Sequence, residues 1–174
     1  MLGQARRIAA LGLLSLIPIS AQANNFNYNM MEFRMGTSPA TFGTELTTYF
    51  TENSHFIGRF DSEFSNDWDL AGGIGFNGPI NQFGDVYGQM LLHSVKDSSD
   101  TTFKTEVNIG TRFWVLEGIE AHVKFGKIID NDDTKSTFAF GARFYSTEQL
   151  ALGAEMKNNG VYGHQMVMSV RFHY

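Results

Sequence analysis

The sequence predicts an all-β fold, an antiparallel up-and-down transmembrane β-barrel of ten strands. Three observations carry this expectation. An apolar leader ends in a small-residue cleavage pattern, the chain after it alternates apolar and polar residues, and aromatic residues gather at the ends of the alternating segments.

The leader comes first. Arg6 and Arg7 precede an apolar stretch from Ile8 to Ile19, and Ala21-Gln22-Ala23 follows. This is the layout of a secretory signal peptide over residues 1–23, with cleavage near Ala23 and a barrel over 24–174. The stretch of 12 residues falls short of the ~18 that a spanning helix needs. The chain carries 13 basic and 18 acidic residues; without Arg6 and Arg7 the balance is 11 against 18, a net charge of −7. Such a balance excludes nucleic acid as a partner, because phosphate binding needs concentrated positive charge. There is no cysteine, so neither a disulfide framework nor thiol chemistry is available.

After the leader, ten segments alternate: 25–35, 42–51, 55–64, 68–77, 85–95, 103–115, 119–129, 137–145, 149–157 and 163–174. Polar turn residues separate them, among them Ser65-Asn66-Asp67, Asp130-Asn131-Asp132-Asp133 and Asn158-Asn159-Gly160. The alternation is clean in the third segment, where Phe56, Gly58 and Phe60 oppose Ile57, Arg59, Asp61 and Glu63. It is equally clean in the sixth and tenth. The first segment changes phase between Met30 and Met31, which reads as a β-bulge or as a strand that starts only at Met31. Bacterial barrels use an even strand number, so eight strands is the alternative to ten. Periplasmic connections are expected at 52–54, 78–84, 116–118 and 146–148. Surface loops are expected at 36–41, 65–67, 96–102, 130–136 and 158–162.

The apolar face is expected to meet lipid, because about five positions per strand exceed what a small lumen holds. Phe64, Trp68, Phe103, Phe138 and Tyr162 would then form one aromatic rim, and Phe50, Phe56, Phe76, Phe113, Phe144 and Phe172 the other. Lys127 is the one charge assigned to the lipid face, placed where its stem reaches the headgroups.

With this layout in place, the leader, the ten-residue alternating strands and the last strand Met166-Val167-Met168-Ser169-Val170-Arg171-Phe172-His173-Tyr174 resemble small Gram-negative outer-membrane barrels of the OmpA/OmpX type. Within these the chain is most similar to YfaZ-type barrels. The resemblance implies an outer-membrane location, with membrane lipid and lipopolysaccharide around the barrel. It also implies that Phe172 and Tyr174 are read by the barrel-assembly machinery.

The other face collects charge. Glu32, Glu45, Asp61, Glu63, Asp69, Glu106, Glu120 and Glu155 are assigned to the lumen with Arg34, Arg59, Lys104, Arg112, Lys124, Arg143, Lys157 and Arg171. Matched charges can pair, which offsets the cost of taking each from water. Arg59, Arg112 and Arg171 are each expected near Asp61, Glu63, Glu106 or Glu120. The expected function is therefore a closed, charge-paired barrel acting in envelope structure or surface interaction. A narrow channel for ions or small solutes is the alternative, and a lipid-modifying enzyme a third reading. For the third, Ser54 and His55 fall in an expected periplasmic turn, His93 and Ser94 point to opposite faces, and His122 and His173 enter the lower lumen. None sets a Ser, a His and an acid on one face at one height, so neither a catalytic group nor a cofactor is expected. Asp130, Asp132 and Asp133 lack the Gly and Glu spacing of a calcium-binding hand, so no metal is expected either.

Overall fold

Period-two alternation becomes ten consecutive hairpin-linked strands in the computed structural model, which describes residues 26–64, 67–98, 100–130 and 133–174. The leader lies outside the described residues. The strands are β1 Met30–Thr37, β2 Thr41–Thr51, β3 Ser54–Ser62, β4 Trp68–Asn81, β5 Gly84–Asp97, β6 Asp100–Leu116, β7 Ile119–Ile129, β8 Thr134–Tyr145, β9 Leu150–Gly160 and β10 Gly163–His173. Each pairs antiparallel with its sequence neighbours, and β1 pairs with β10 from Met30 opposite His173 to Thr37 opposite Met166. The ring is closed at ten strands, which settles the count against eight and leaves no open edge.

Several strands run further than the alternation alone marks. β4 continues through Pro79 to Asn81, so the expected connection at 78–84 shrinks to residues 82–83. β5 reaches Asp97, β6 begins at Asp100 and β8 at Thr134, so strands run into the loops expected at 96–102 and 130–136. The loop expected at 158–162 is residues 161–162, and that at 36–41 is residues 38–40. Polar residues mislead here because a strand that has left the membrane core still pairs its backbone while its side chains are wet. The connection at 117–118 is a two-residue hairpin turn in which Gly118 takes a φ of 74°, a conformation that L side chains rarely adopt.

The two faces separate sharply. Leu91 and Leu92 are sequence neighbours, yet Leu91 is 0% exposed in the lumen while Leu92 is 64% exposed outside. Met35, Leu70, Ile109, Phe125 and Met168 lie on the same outer band. A continuous apolar surface of this extent suits lipid rather than water. Phe50, Phe56, Phe76, Phe113, Phe144 and Phe172 are exposed on the outer face toward the end that carries Phe26 and Tyr174 (the turn end below), and Phe64 and Phe103 are exposed at the opposite, loop end. Tyr162 departs from this girdle. Its hydroxyl donates to the Asp61 carbonyl at 3.1 Å, and it lines the loop-end mouth of the lumen.

The phase change in the first segment is not a bulge. Phe26, Tyr28, Met30, Glu32 and Arg34 all face inward without interruption, and β1 starts at Met30. What changes at Met30 is the chemistry of the inward face, from aromatic to charged. An alternation that assigns every apolar residue to lipid has to misread this as a slip.

Candidate functional site in the lumen

Inward positions of all ten strands build the site. Near mid-barrel, Arg34 of β1 donates to Glu45 of β2 at 3.0 Å and to both carboxylate oxygens of Asp61 on β3 at 2.9 and 2.7 Å. Arg59 donates to Glu45 at 2.8 Å and lies 3.5 Å from Glu106 on β6. Arg143 of β8 donates to Glu120 of β7 at 2.8 Å, and Arg171 of β10 is paired with Glu32. Tyr145 donates a second bond to Glu120 at 2.7 Å. Each carboxylate therefore accepts from a cation or hydroxyl across a strand boundary, the condition under which buried charges are tolerated.

Three expected members of the network behave differently. Glu63 lies beyond the end of β3, and its carboxyl is pushed up by burial and by neighbouring Asp67 and Asp97 rather than held by an arginine. Its alternation parity is correct, but the strand has ended before it. Arg171 makes its ion pair with Glu32, and of the four acids expected for it only Glu120 lies within electrostatic reach. Arg112 forms no ion pair with those four, though Glu120 lies within its electrostatic reach. Its guanidinium lies 4.4 Å from the Phe26 ring centroid and 3.9 Å from that of Tyr28, and its Nε is 4.0 Å from Asp85. Asp85, not among the charges that alternation assigns to the lumen, is 0% exposed near the start of β5 and accepts the Tyr28 hydroxyl at 2.7 Å. Its signal was present in the parity it shares with His93 on β5. With Asp85 in and Glu63 out, the lumen still carries eight acidic and eight basic side chains.

Aromatic rings close the turn end. Phe26 stacks on Trp114 with centroids 5.2 Å apart, Tyr28 stacks on His55 at 4.4 Å, and Tyr145 stacks on His173 at 5.8 Å. Tyr49 donates to the Phe26 carbonyl at 3.2 Å, which ties the entering segment to β2. His55 sits in β3 with its ring in the lumen, not in a periplasmic turn, and its Nδ1 is 3.2 Å from Asn77. Two glycines make room for this packing. A Cβ on Gly75 would fall 2.1 Å from the His55 ring, and one on Gly110 would fall 2.4 Å from the Tyr87 ring.

His93 and His122 hold carboxylates, while His164 is exposed. His93 sets Nδ1 2.9 Å from Asp69 and Nε2 3.1 Å from Glu106, so both ring nitrogens face acceptors. His122 Nε2 lies 2.9 Å from Glu155. Lys127 is exposed on the outer face of β7 near its loop end. Asp130 pairs with Lys104 at 3.3 Å, and Asp132 lies outside the described residues.

Two small cavities remain inside, of about 70 and 60 Å³. Arg34, Arg59, Lys124, Lys157 and Val167 border both, so four cations stand where the cavities meet. The lower cavity is lined by seven cationic side chains, these four with Arg112, Arg143 and Arg171, against three carboxylates, Glu32, Glu45 and Glu155. Lys124 makes no ion pair within 4.0 Å among the described residues.

No protein-family model matches the sequence, and no curated protein matches it. Solved structures do. The barrel is similar to a KdgM porin in complex with disordered oligogalacturonate, with a TM-score of 0.61 at 8% identity, covering 83% of this chain and 99% of that one. A second KdgM porin structure gives 0.58 at 6% identity with the same coverages, 83% and 99%. The chain has a porin-like barrel fold. A NanC porin gives 0.51 at 7% identity, covering 83% of this chain and 98% of that one. At these identities the likeness is one of fold.

Proposed function

We propose that this protein is a narrow porin-like channel of the outer membrane that passes small ions, closed at its turn end by an aromatic plug. The carrying observation is the lumen: two charged cavities share one cationic junction, and the lower one is bordered by Tyr28 while Phe26, Trp114, Tyr145 and His173 line the turn-end mouth. The fold likeness to porins supports the same reading. Cavities of about 70 and 60 Å³ fall well under the roughly 300 Å³ at which drug-sized ligands begin to fit. The solute class is therefore ions and the smallest solutes, not oligosaccharides. The lipid-suited outer band and the leader support placement in the outer membrane, with lipopolysaccharide near Lys127.

The reading first expected from the charge count, a permanently closed envelope barrel, keeps one observation in its favour: most lumen charges are already paired. Conductance in planar bilayers separates the two. The channel reading expects small, intermittent current from the unmodified barrel and a larger, steadier current when Phe26→Ala and Tyr28→Ala are combined. Silence from both proteins, with folding verified by gel shift, would leave the closed barrel in place.

A further inference from the structure

We infer that the lower cavity is a binding site for a small oxyanion with the charge and size of inorganic phosphate or sulfate. The site deepens the channel reading but stands on its own geometry. Across the whole lumen acids and bases are matched, yet in the middle one lysine and several guanidinium N–H groups are left out of the pairing. Asp85 and Glu120 sit toward the turn end and are taken up by Tyr28 and Arg143, while Asp61, Asp69 and Glu106 border the upper cavity instead. Seven cationic side chains and three carboxylates line the middle; among the described residues six of the seven reach a carboxylate within 4.0 Å, some of them sharing one, and Lys124 does not.

Donors remain unused there. Arg112 is 4% exposed, lines the cavity, and has no hydrogen-bond partner at Nε or Nη2. The Nε atoms of Arg34 and Arg143 are likewise without partners. Lys124 borders the cavity with no carboxylate within ion-pair distance. A buried cation without a counter-charge is costly, and an anion with several acceptor oxygens removes that cost for several donors at once. The volume of about 70 Å³ admits one small oxyanion or a few waters and nothing much larger. Guanidinium forks and a lysine ammonium on several walls can donate to the oxygens of phosphate or sulfate from more than one side.

The test is urea unfolding of the whole barrel in detergent micelles, titrated with sodium phosphate against sodium chloride at matched ionic strength and fixed pH. The unfolding midpoint is expected to rise saturably with phosphate alone. Lys124→Gln should weaken the apparent affinity by about tenfold or more, the loss of one charge-assisted contact. Lys124→Arg should keep binding. Lys104→Gln, whose lysine pairs with Asp130 at the loop end, should leave it unchanged. If Lys124→Gln does not refold, Lys157→Gln replaces it with the same expectation. A midpoint that tracks ionic strength alone in the unmodified barrel overturns the inference, and so does unaltered phosphate affinity in the lysine variant. Bilayer current is read separately. Phosphate binding without current removes the channel reading and leaves the site; current without phosphate binding does the reverse.

Discussion

Arg112 shows how parity can place a side chain correctly and still leave most of its partners unnamed. Its inward position follows from the alternation of β6, but its neighbours come from β5 and from the segment before β1. Arg112→Ala would remove a cation from Asp85 and from Glu120, leaving Asp85 with the Tyr28 hydroxyl and the backbone of Gly78 and Val86. Breaking one side of a buried pair costs about 3–5 kcal/mol, and urea unfolding in lipid vesicles should show a loss on that order. Glu63 gives the opposite case. Burial and the nearby Asp67 and Asp97 raise its carboxyl above the ordinary range, so the folded state holds this proton more readily than the unfolded chain does. That group disfavours folding once pH passes the usual Glu value of about 4.3. Glu63→Gln should therefore flatten the fall in stability as pH rises through that region. A variant less stable than the parent at neutral pH would show that Glu63 has a cationic partner after all.

At the scale of elements, the barrel depends on where small residues let strands carry large lumen rings. Gly75 on β4 lies against the His55 ring of β3, which is itself stacked on Tyr28 and cannot swing away. Gly75→Ala should cost about 1–3 kcal/mol, the usual penalty for overpacking a filled interior. Gly58 points its hydrogen to open space on the outer face, so Gly58→Ala serves as the matched control and should be nearly neutral. The closing strand carries a second expectation. Phe172 faces outward, and Tyr174 donates to the Thr47 carbonyl at 3.1 Å while its backbone N–H donates to Asn29. Deleting residues 172–174 removes the turn-end part of the β1–β10 seam, so the folded fraction recovered in membranes should drop sharply. Assembly at the parental level would show that neither the seam nor its aromatics guide closure.

For the molecule as a whole, the outer band and the closed ring imply residence in a lipid bilayer. The protein should fractionate with outer membranes and migrate differently on gels when unboiled; recovery as a soluble periplasmic monomer would overturn that placement. The two ends of the lumen differ in kind. His93 with its two carboxylates, the Lys104–Asp130 pair and Tyr162 mark the loop end, while stacked rings mark the turn end. Any current should therefore respond to substitutions of the rings more than to substitutions of the short loops.

What the sequence by itself determined is the local geometry. Strand periodicity is written in neighbours two residues apart, so the ten strands, their two faces and the inward set of charges could be read from residues 30–174 without any partner in view. The exceptions fall where a residue's meaning depends on something distant. Phe26 and Tyr28 look like lipid-facing residues out of phase until Trp114, His55 and Arg112 arrive from β6 and β3 to receive them. Asp85 heads the fifth alternating segment with no lumen role assigned, until β4 extends to Asn81, pairs Pro79 with it and draws it inside. Which arginine meets which carboxylate, and where the cationic middle of the lumen lies, were decided only by the tertiary structure. Alternation specifies a face, whereas the height at which two faces meet depends on register and on closure of the ring, and those are properties of strand pairs rather than of strands.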